Sequence, residues 1–233
     1  MWGDRMNKDK RASAARLKVE HDERVYKNSI IECVAKTKIY GPNWKITNGV
    51  GGYPEVSVKC CSSTEAAMCL DEPTILNFAS YKNPGGGFLN GSIAQEECLC
   101  AKSILYNVLS RFPEFYNWNR KHLNGGAYEN RALYTPDVVF DEFVANVITC
   151  AAPNANKVKS EQILKERIEF ILSIARENKC KELVLGAWGC GVFNNDVETV
   201  AKCFRDCIDD SFEKVIFAVP DKKVDVFREV FCC

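Results

Sequence analysis

TILNFASYKNPGGGFLNGSIAQEECLCAKSILYNVLS, residues 74–110, carries the order strand, glycine loop, helix. Thr74 to Ala79 is an apolar run of strand length and composition. It breaks at Asn83-Pro84-Gly85-Gly86-Gly87. After a short connection, Gln95-Glu96-Glu97 opens a helical pattern with Cys98, Ala101, Leu105, Val108 and Leu109 on one face. In α/β proteins such an arrangement holds phosphate. Glycines let the backbone approach an anion and turn its N–H groups towards it, and a helix N-terminus adds partial positive charge. Two adjacent carboxylates at the helix entrance would repel a bare phosphate. They suit a site where one carboxyl does acid–base chemistry beside a phosphate held elsewhere. Taken alone, the two glutamates read as ordinary first-turn acids that stabilise the helix dipole. Neighbouring carboxylates raise each other's proton affinity and a helix N-terminus lowers it, and the sequence leaves that balance open.

A second glycine loop lies further along. Leu183-Val184-Leu185 reads as a buried strand and runs into Gly186-Ala187-Trp188-Gly189-Cys190-Gly191-Val192-Phe193. Asn195 or Asn194 is placed to cap the next helix, in which Val197, Val200, Ala201, Phe204, Cys207 and Ile208 recur at helical spacing. Further strands are expected at 56–60, 145–150 and 215–219, with an edge strand at 138–140. Helices are expected at about 10–38, after a capping box at Ser62–Glu65, at about 157–177 and at the C-terminus. Residues 111–136 read as a long covering loop with short helical turns. Apolar strands alternating with helices predict an α/β fold with a sheet covered on both faces, and ligands in such folds bind at the C-terminal ends of strands. Both glycine loops leave strands at that end, which suits a ligand with two linked phosphates. Phe193 reads equally as core and as a ring that packs on a sugar or base. Asn77, Asn83 and Asn90 are polar groups near the first loop, where turn formation is the default for asparagine. Tyr116, Trp118 and Tyr128 read as loop packing or as the wall of a base pocket. Cys190 lies between glycines but has no sequence-local histidine to activate it, so packing or backbone geometry is its expected role.

At 233 residues the chain is long enough for one large core. Lys and Arg total 31, as do Asp and Glu, so net charge gives no drive towards general nucleic-acid binding. No apolar run reaches membrane-spanning length, and the N-terminus lacks the apolar core of a secretory signal. Asp4 and Asp9 count against a mitochondrial transit segment. Thirteen cysteines without such a signal predict reduced thiols. Six of them lie within apolar patterns: Cys33, Cys69, Cys98, Cys150, Cys203 and Cys207. No Cys-x-x-Cys pair exists and His21 and His122 are the only histidines, so no metal site is expected. Cys232-Cys233 do not form a prenylation box, and exposure would leave them oxidisable.

Gly85-Gly86-Gly87, seven residues and then Gln95-Glu96-Glu97, with Asn77-Phe78-Ala79-Ser80 and Asn83-Pro84 alongside, resembles the signature of poly(ADP-ribose) glycohydrolases of the compact microbial type. Val147 to Asn154 and Gly186 to Asn195 also resemble that family, so the likeness runs from about residue 56 to 219. It implies a macrodomain-like mixed sheet sandwiched between helices, spanning 56–233, with residues 1–55 as a helical extension packed on it.

The resemblance implies that the chain hydrolyses ribose–ribose O-glycosidic bonds in poly(ADP-ribose) on modified proteins, mainly from chain ends. Glu97 would be the general acid and base, and Glu96 would orient the ribose. Gly85, Gly86 and Gly87 would hold the diphosphate from one side, and Gly189, Cys190, Gly191 and Val192 from the other. Asn77, Asn83 and Gln95 would line the ligand, and Phe193 would position a sugar or the base. No metal or cofactor is implied. A monomer in the cytoplasm is expected, or in the nucleus of a eukaryote. Two rivals remain: hydrolysis of mono-ADP-ribose from protein or nucleic acid, and a module that binds ADP-ribose without cleaving it. Retention of Gln95-Glu96-Glu97 argues against the last, since binding needs no acid.

Overall fold

The computed structural model describes residues 6–47, 49 and 51–231. Asp4, Cys232 and Cys233, weighed above for targeting and oxidation, lie outside the described residues. Among those described, seven strands form one sheet in the order β1-β4-β5-β3-β6-β7-β2. They are β1 (Lys38–Tyr40), β2 (Glu55–Lys59), β3 (Pro73–Phe78), β4 (Ala132–Val139), β5 (Val144–Cys150), β6 (Glu182–Leu185) and β7 (Lys214–Ala218). The run from β5 to β2 is parallel, and β4 and β1 are antiparallel. β3 sits between β5 and β6, so all three strands present their C-terminal ends at one edge of the sheet.

Successive strand residues point to opposite faces. Leu76, Ile148, Leu183, Leu185, Val215 and Phe217 join α7 (Glu161–Glu177), α8 (Val197–Cys207) and α9 (Lys223–Phe231) in one core. Ile75, Val147, Val184 and Ile216 join a second core on the other face. That core takes in α1 (Lys8–Val25), α2 (Lys27–Lys36), α3 (Ser63–Ala67), α4 (Gln95–Ala101), α5 (Leu105–Leu109) and α6 (Pro113–Lys121). The expected helix-covered mixed sheet is therefore present. Residues 38–40 add an edge strand to it, so the N-terminal segment shares the sheet as well as packing on it.

Several expectations change. The N-terminal helix is two helices that break at Tyr26, where ψ turns to 24°. The helical pattern through 98–109 is interrupted at Ser103, which bridges to Phe140 and ends α4. The covering segment contains a full helix, α6, and gives way to β4 at Ala132. β4 is an interior strand, whereas an edge strand at 138–140 was expected. Pro136 disguises it, because proline in an apolar run argues against a central strand. The chain accommodates the proline with a register shift between Thr135 and Val138 and with Asp137 at φ 58°. The capping box at Ser62–Glu65 is present in full. The cap of α8, however, is Asp196 rather than Asn194 or Asn195, and its carboxylate accepts the Thr199 N–H at 2.9 Å. Cys69, placed among the apolar cysteines, is exposed. Among the described residues no helix is long and apolar enough to cross a membrane.

Candidate active site

The strand order puts the exits of β3, β5 and β6 side by side. The residues that leave β3 hold both carboxylates of the Glu96-Glu97 pair. Glu97 is the third residue of α4 and folds back on the helix entrance. Its Oε2 accepts the Ala94 N–H at 2.9 Å and its Oε1 accepts the Gly87 N–H at 2.8 Å. Glu96 accepts the Ser80 N–H at 2.6 Å and the Asn77 amide at 3.3 Å, with a further backbone bond from Gly85. Both side chains are buried. Burial pushes the Glu96 carboxyl up to about 8. The Ser80 N–H works against that rise, and the Glu97 charge adds to it.

These bonds engage the N–H groups of the first glycine loop. Its N–H groups were expected to face a diphosphate. Gly85 and Gly87 instead spend theirs on the two carboxylates, and Gly86 donates to the Asn83 carbonyl at 3.1 Å. The physical reason is local. Two buried carboxylates need donors more than a solvated phosphate does, and the glycines bring backbone N–H groups close enough to supply them. Gly86, at φ 58°, lies so near the pair that a Cβ there would fall 2.7 Å from Glu97 Oε1 and 2.9 Å from Glu96 Oε2.

Gln95 is likewise turned inwards. Its Oε1 accepts the Phe78 N–H at 2.8 Å, and its Nε2 donates to the Leu76 carbonyl at 2.9 Å and to Ser63 Oγ at 3.1 Å. The amide pairs with the end of β3 as a neighbouring strand would, so Gln95 braces α4. Asn77, fully buried on β3, shares its Nδ2 between Glu96 Oε1 and Thr149 Oγ1, each at 3.3 Å. Thr149, on β5, is a site residue that the sequence analysis missed. Asn83 is exposed and accepts from Arg120 at 3.4 Å.

The second loop supplies what the first does not. Trp188 is buried and donates its indole N–H to the Cys150 carbonyl at 3.2 Å. Asn195 donates to the Pro153 carbonyl at 2.8 Å, which ties the loop to the exit of β5. At the start of the loop, a Cβ on Gly186 would meet the Ala218 carbonyl at 2.5 Å and the Phe78 ring at 3.1 Å, so the loop begins tightly packed between the ends of β7 and β3. Cys190 spends its N–H on the Ala187 carbonyl. Its thiol is buried, rests 3.7 Å from the Trp188 carbonyl and is pushed up to about 12 by burial, which makes it a poor nucleophile. The N–H groups of Gly191, Val192 and Phe193 have no acceptor among the described residues, and the Val192 side chain is 81% exposed. Three consecutive backbone donors are therefore open, as an anion-binding loop requires.

The covering segment closes the site from the side. Tyr81, beyond β3, stacks on Tyr128 with ring centroids 4.2 Å apart. Tyr128 in turn contacts Phe193 at 5.9 Å. Tyr128 is buried at φ 60°, a backbone conformation that an aromatic residue holds only when its surroundings fix it. Trp118 is taken up by packing, with His122 stacked on it at 3.7 Å and Arg131 over it at 4.1 Å. Tyr116 is core. Arg167 on α7 is buried beneath the β5 exit. It donates to the Ala151 carbonyl at 2.9 Å, the Ala127 carbonyl at 3.0 Å and Asn130 Oδ1 at 2.5 Å. It lies in the middle of a long amphipathic helix, outside both glycine motifs, so nothing in the sequence pointed to it.

The family model for the microbial-type PARG catalytic domain matches residues 12–141. Among solved structures, poly(ADP-ribose) glycohydrolase from Thermomonospora curvata bound to the inhibitor ADP-HPD is 28% identical, with a TM-score of 0.84, and the match covers 96% of this chain and 100% of that one. The enzyme from Deinococcus radiodurans in complex with ADP-ribose is 31% identical, with a TM-score of 0.77, over 86% of this chain and 96% of that one. A search of curated proteins returns no match.

Proposed function

This chain belongs to the microbial-type poly(ADP-ribose) glycohydrolase family, and on that premise we propose that it hydrolyses the ribose–ribose O-glycosidic bonds of poly(ADP-ribose), with Glu97 as general acid and base. The observation that carries the assignment is the double anchoring of Glu97. Gly87 and Ala94 bind both of its oxygens at the exit of β3, and the N–H groups of 191–193, beyond the neighbouring β6, have no acceptor among the described residues.

In this reading the diphosphate of a terminal ADP-ribose unit sits on the second loop, and the distal ribose reaches the glutamate pair. Glu97 gives its proton to the glycosidic oxygen as the C–O bond breaks, and the electron pair leaves with that oxygen. Positive charge develops on the ribose carbon and ring oxygen. Water adds to that carbon, and its proton passes to the Glu97 carboxylate, which restores the starting state. A single carboxyl therefore serves both steps, unlike the paired carboxylates of most glycosidases. Glu96, whose proton affinity burial raises, hydrogen-bonds a ribose hydroxyl and so orients the sugar at Glu97. The fold acts as one unit from the N-terminal helices to α9, as a monomer. The described cysteines are free thiols, which fits a reducing cytoplasm.

The test is release of ADP-ribose from poly- and mono-modified protein by the wild type and by Glu97→Gln. Turnover of chains that is lost in Glu97→Gln supports the reading. Equal rates in the two proteins remove Glu97 from the mechanism, and turnover of mono-modified substrate alone moves the activity to that class.

A further inference from the structure

The first loop and the covering segment together carry a cluster of charges that the chemistry above does not use. Residues 79–94 contain Lys82 and no acid. Residues 115–131 contain Arg120, Lys121 and Arg131 against a single acid, Glu129. In a chain with a net charge of zero, that is a local excess of cations. None of the four cations has a carboxylate partner among the described residues. Glu129 is occupied by the Asn124 amide, and Glu114 stands at the other end of α6.

Arg120 and Arg131 are held by one bonded unit, with Lys82 and Lys121 next to it in the chain. Asn119 is buried, donates to the Tyr81 carbonyl at 2.9 Å and accepts from Arg131 Nε at 2.9 Å. Tyr81 OH donates to the His122 carbonyl at 3.1 Å. Arg120 reaches Asn83 at 3.4 Å, and Arg131 lies 4.1 Å over the Trp118 ring. The C-terminal turn of α6 is therefore bolted to Tyr81–Asn83. Ser80, the residue just before Tyr81, holds Glu96. Lys82, Arg120 and Lys121 are exposed, and Arg131 is half-buried.

We propose that Lys82, Arg120, Lys121 and Arg131 form a second anion subsite. It takes the diphosphate of the ADP-ribose unit adjoining the one in the active site. This rests on the chain-cleaving function proposed above. A polymer with two negative charges per repeat must leave the active site past one of its rims. This rim carries unpaired cations and is continuous with the backbone that holds the glutamates. The side chains contact phosphate and not base, so the subsite reads the charge of the chain.

The experiment compares wild type with the double variant Arg120→Gln/Lys121→Gln on ADP-ribose and on poly(ADP-ribose). Calorimetry with ADP-ribose should give affinities within about twofold of each other, because a single unit fills only the first subsite. On the polymer, kcat/KM should fall about five- to tenfold, mostly through KM, and the log–log salt slope should become shallower by about 1–2. An unchanged kcat/KM and salt slope would overturn the proposal. So would an equal loss of affinity for free ADP-ribose, which would mean that the first loop had been disturbed. A single-stranded oligonucleotide that competes with the polymer as well as poly(ADP-ribose) of equal charge would make the rim a general polyanion surface and also overturn it. Failure of the wild type to cleave chains would count against the function proposed above. The subsite would still be read from chain affinity, which must be weaker in the double variant.

Discussion

The Gly87 N–H donates to Glu97 Oε1 at 2.8 Å, so the glycine loop and the candidate acid form one bonded unit. The other oxygen of the same carboxylate closes the N-terminus of α4 through Ala94. Both oxygens of the Glu97 side chain are bound, so the loop and the helix entrance hold it from two sides. The N–H groups of the triple glycine are engaged by Asn83 and the glutamate pair, whereas those of Gly191, Val192 and Phe193 have no acceptor among the described residues.

Gly86→Ala tests that unit. The new Cβ would lie 2.7 Å from Glu97 Oε1 and 2.9 Å from Glu96 Oε2, at a backbone φ of 58° that disfavours any side chain. The pair must shift by a fraction of an ångström, and displacement of about 1 Å in a reacting group costs about a hundredfold in rate. We expect kcat to fall by about ten- to a hundredfold, with ADP-ribose affinity within a few-fold of wild type because its anion seat lies on the other loop. Steady-state kinetics and calorimetry on the variant check this. A variant that loses affinity and keeps kcat would contradict it.

Glu96 makes folding stability depend on pH. Its carboxyl is raised from an ordinary 4.5 to about 8 in the fold, chiefly by burial. The native state therefore binds the proton more tightly than the unfolded chain does. The contribution is full below about pH 4.5 and is lost as pH climbs to about 8, by an amount on the order of a few kcal/mol. Glu96→Gln removes the titration. Thermal unfolding between pH 6 and pH 9 should show wild-type Tm falling more steeply than that of Glu96→Gln. Parallel curves for the two proteins would show that Glu96 is already ionised at pH 6.

Much of this was legible in the sequence wherever the signal is local. The strand–glycine–helix order, the Ser62–Glu65 capping box and the apolar strands of the sheet each depend on a few neighbouring residues. What escaped depends on partners far along the chain. Nothing near Gly87 says that its N–H faces Glu97 rather than a phosphate. Thr149 becomes a site residue only because β5 lies beside β3. β4 was hidden by Pro136, since a bulge can absorb a proline only when a partner strand is there to define it. The Tyr81–Tyr128 stack joins two segments whose sequences give no sign of each other.

Gly189→Ala tests the anion seat independently of the acid. Gly189 has φ 74°, and a Cβ there would fall 2.5 Å from Asn195 Nδ2 and 2.6 Å from Ala152 Cβ. Asn195 is the side chain that ties this loop to Pro153, so the substitution loosens the seat at its anchor. Charge-assisted hydrogen bonds contribute about 1.5–3 kcal/mol each, so loss of one well-placed donor should weaken ADP-ribose binding by about tenfold or more. Calorimetry with ADP-ribose and with adenosine separates the causes. The loss should appear for the diphosphate and be small for the nucleoside.

Arg167 extends the same electrostatics beneath the surface. The residue is 2% exposed, and its guanidinium bonds only neutral oxygens, with no carboxylate partner among the described residues. An uncompensated buried charge costs several kcal/mol, whereas a buried arginine stays protonated at neutral pH. A ligand with two phosphates seated above Ala151 would supply the missing counter-charge. Arg167→Met should therefore weaken ADP-ribose more than adenosine. Arg167→Lys keeps the charge and should lie between Met and wild type. Loss of the three hydrogen bonds should also lower stability by about 1–3 kcal/mol in Arg167→Met, so binding must be measured well below the melting temperature of the variant. The separating measurement is the shift in Tm at saturating ADP-ribose. If Arg167 matters only as a brace, the shift will match wild type in both variants. If its charge is felt by the ligand, the shift will shrink in Met and largely survive in Lys.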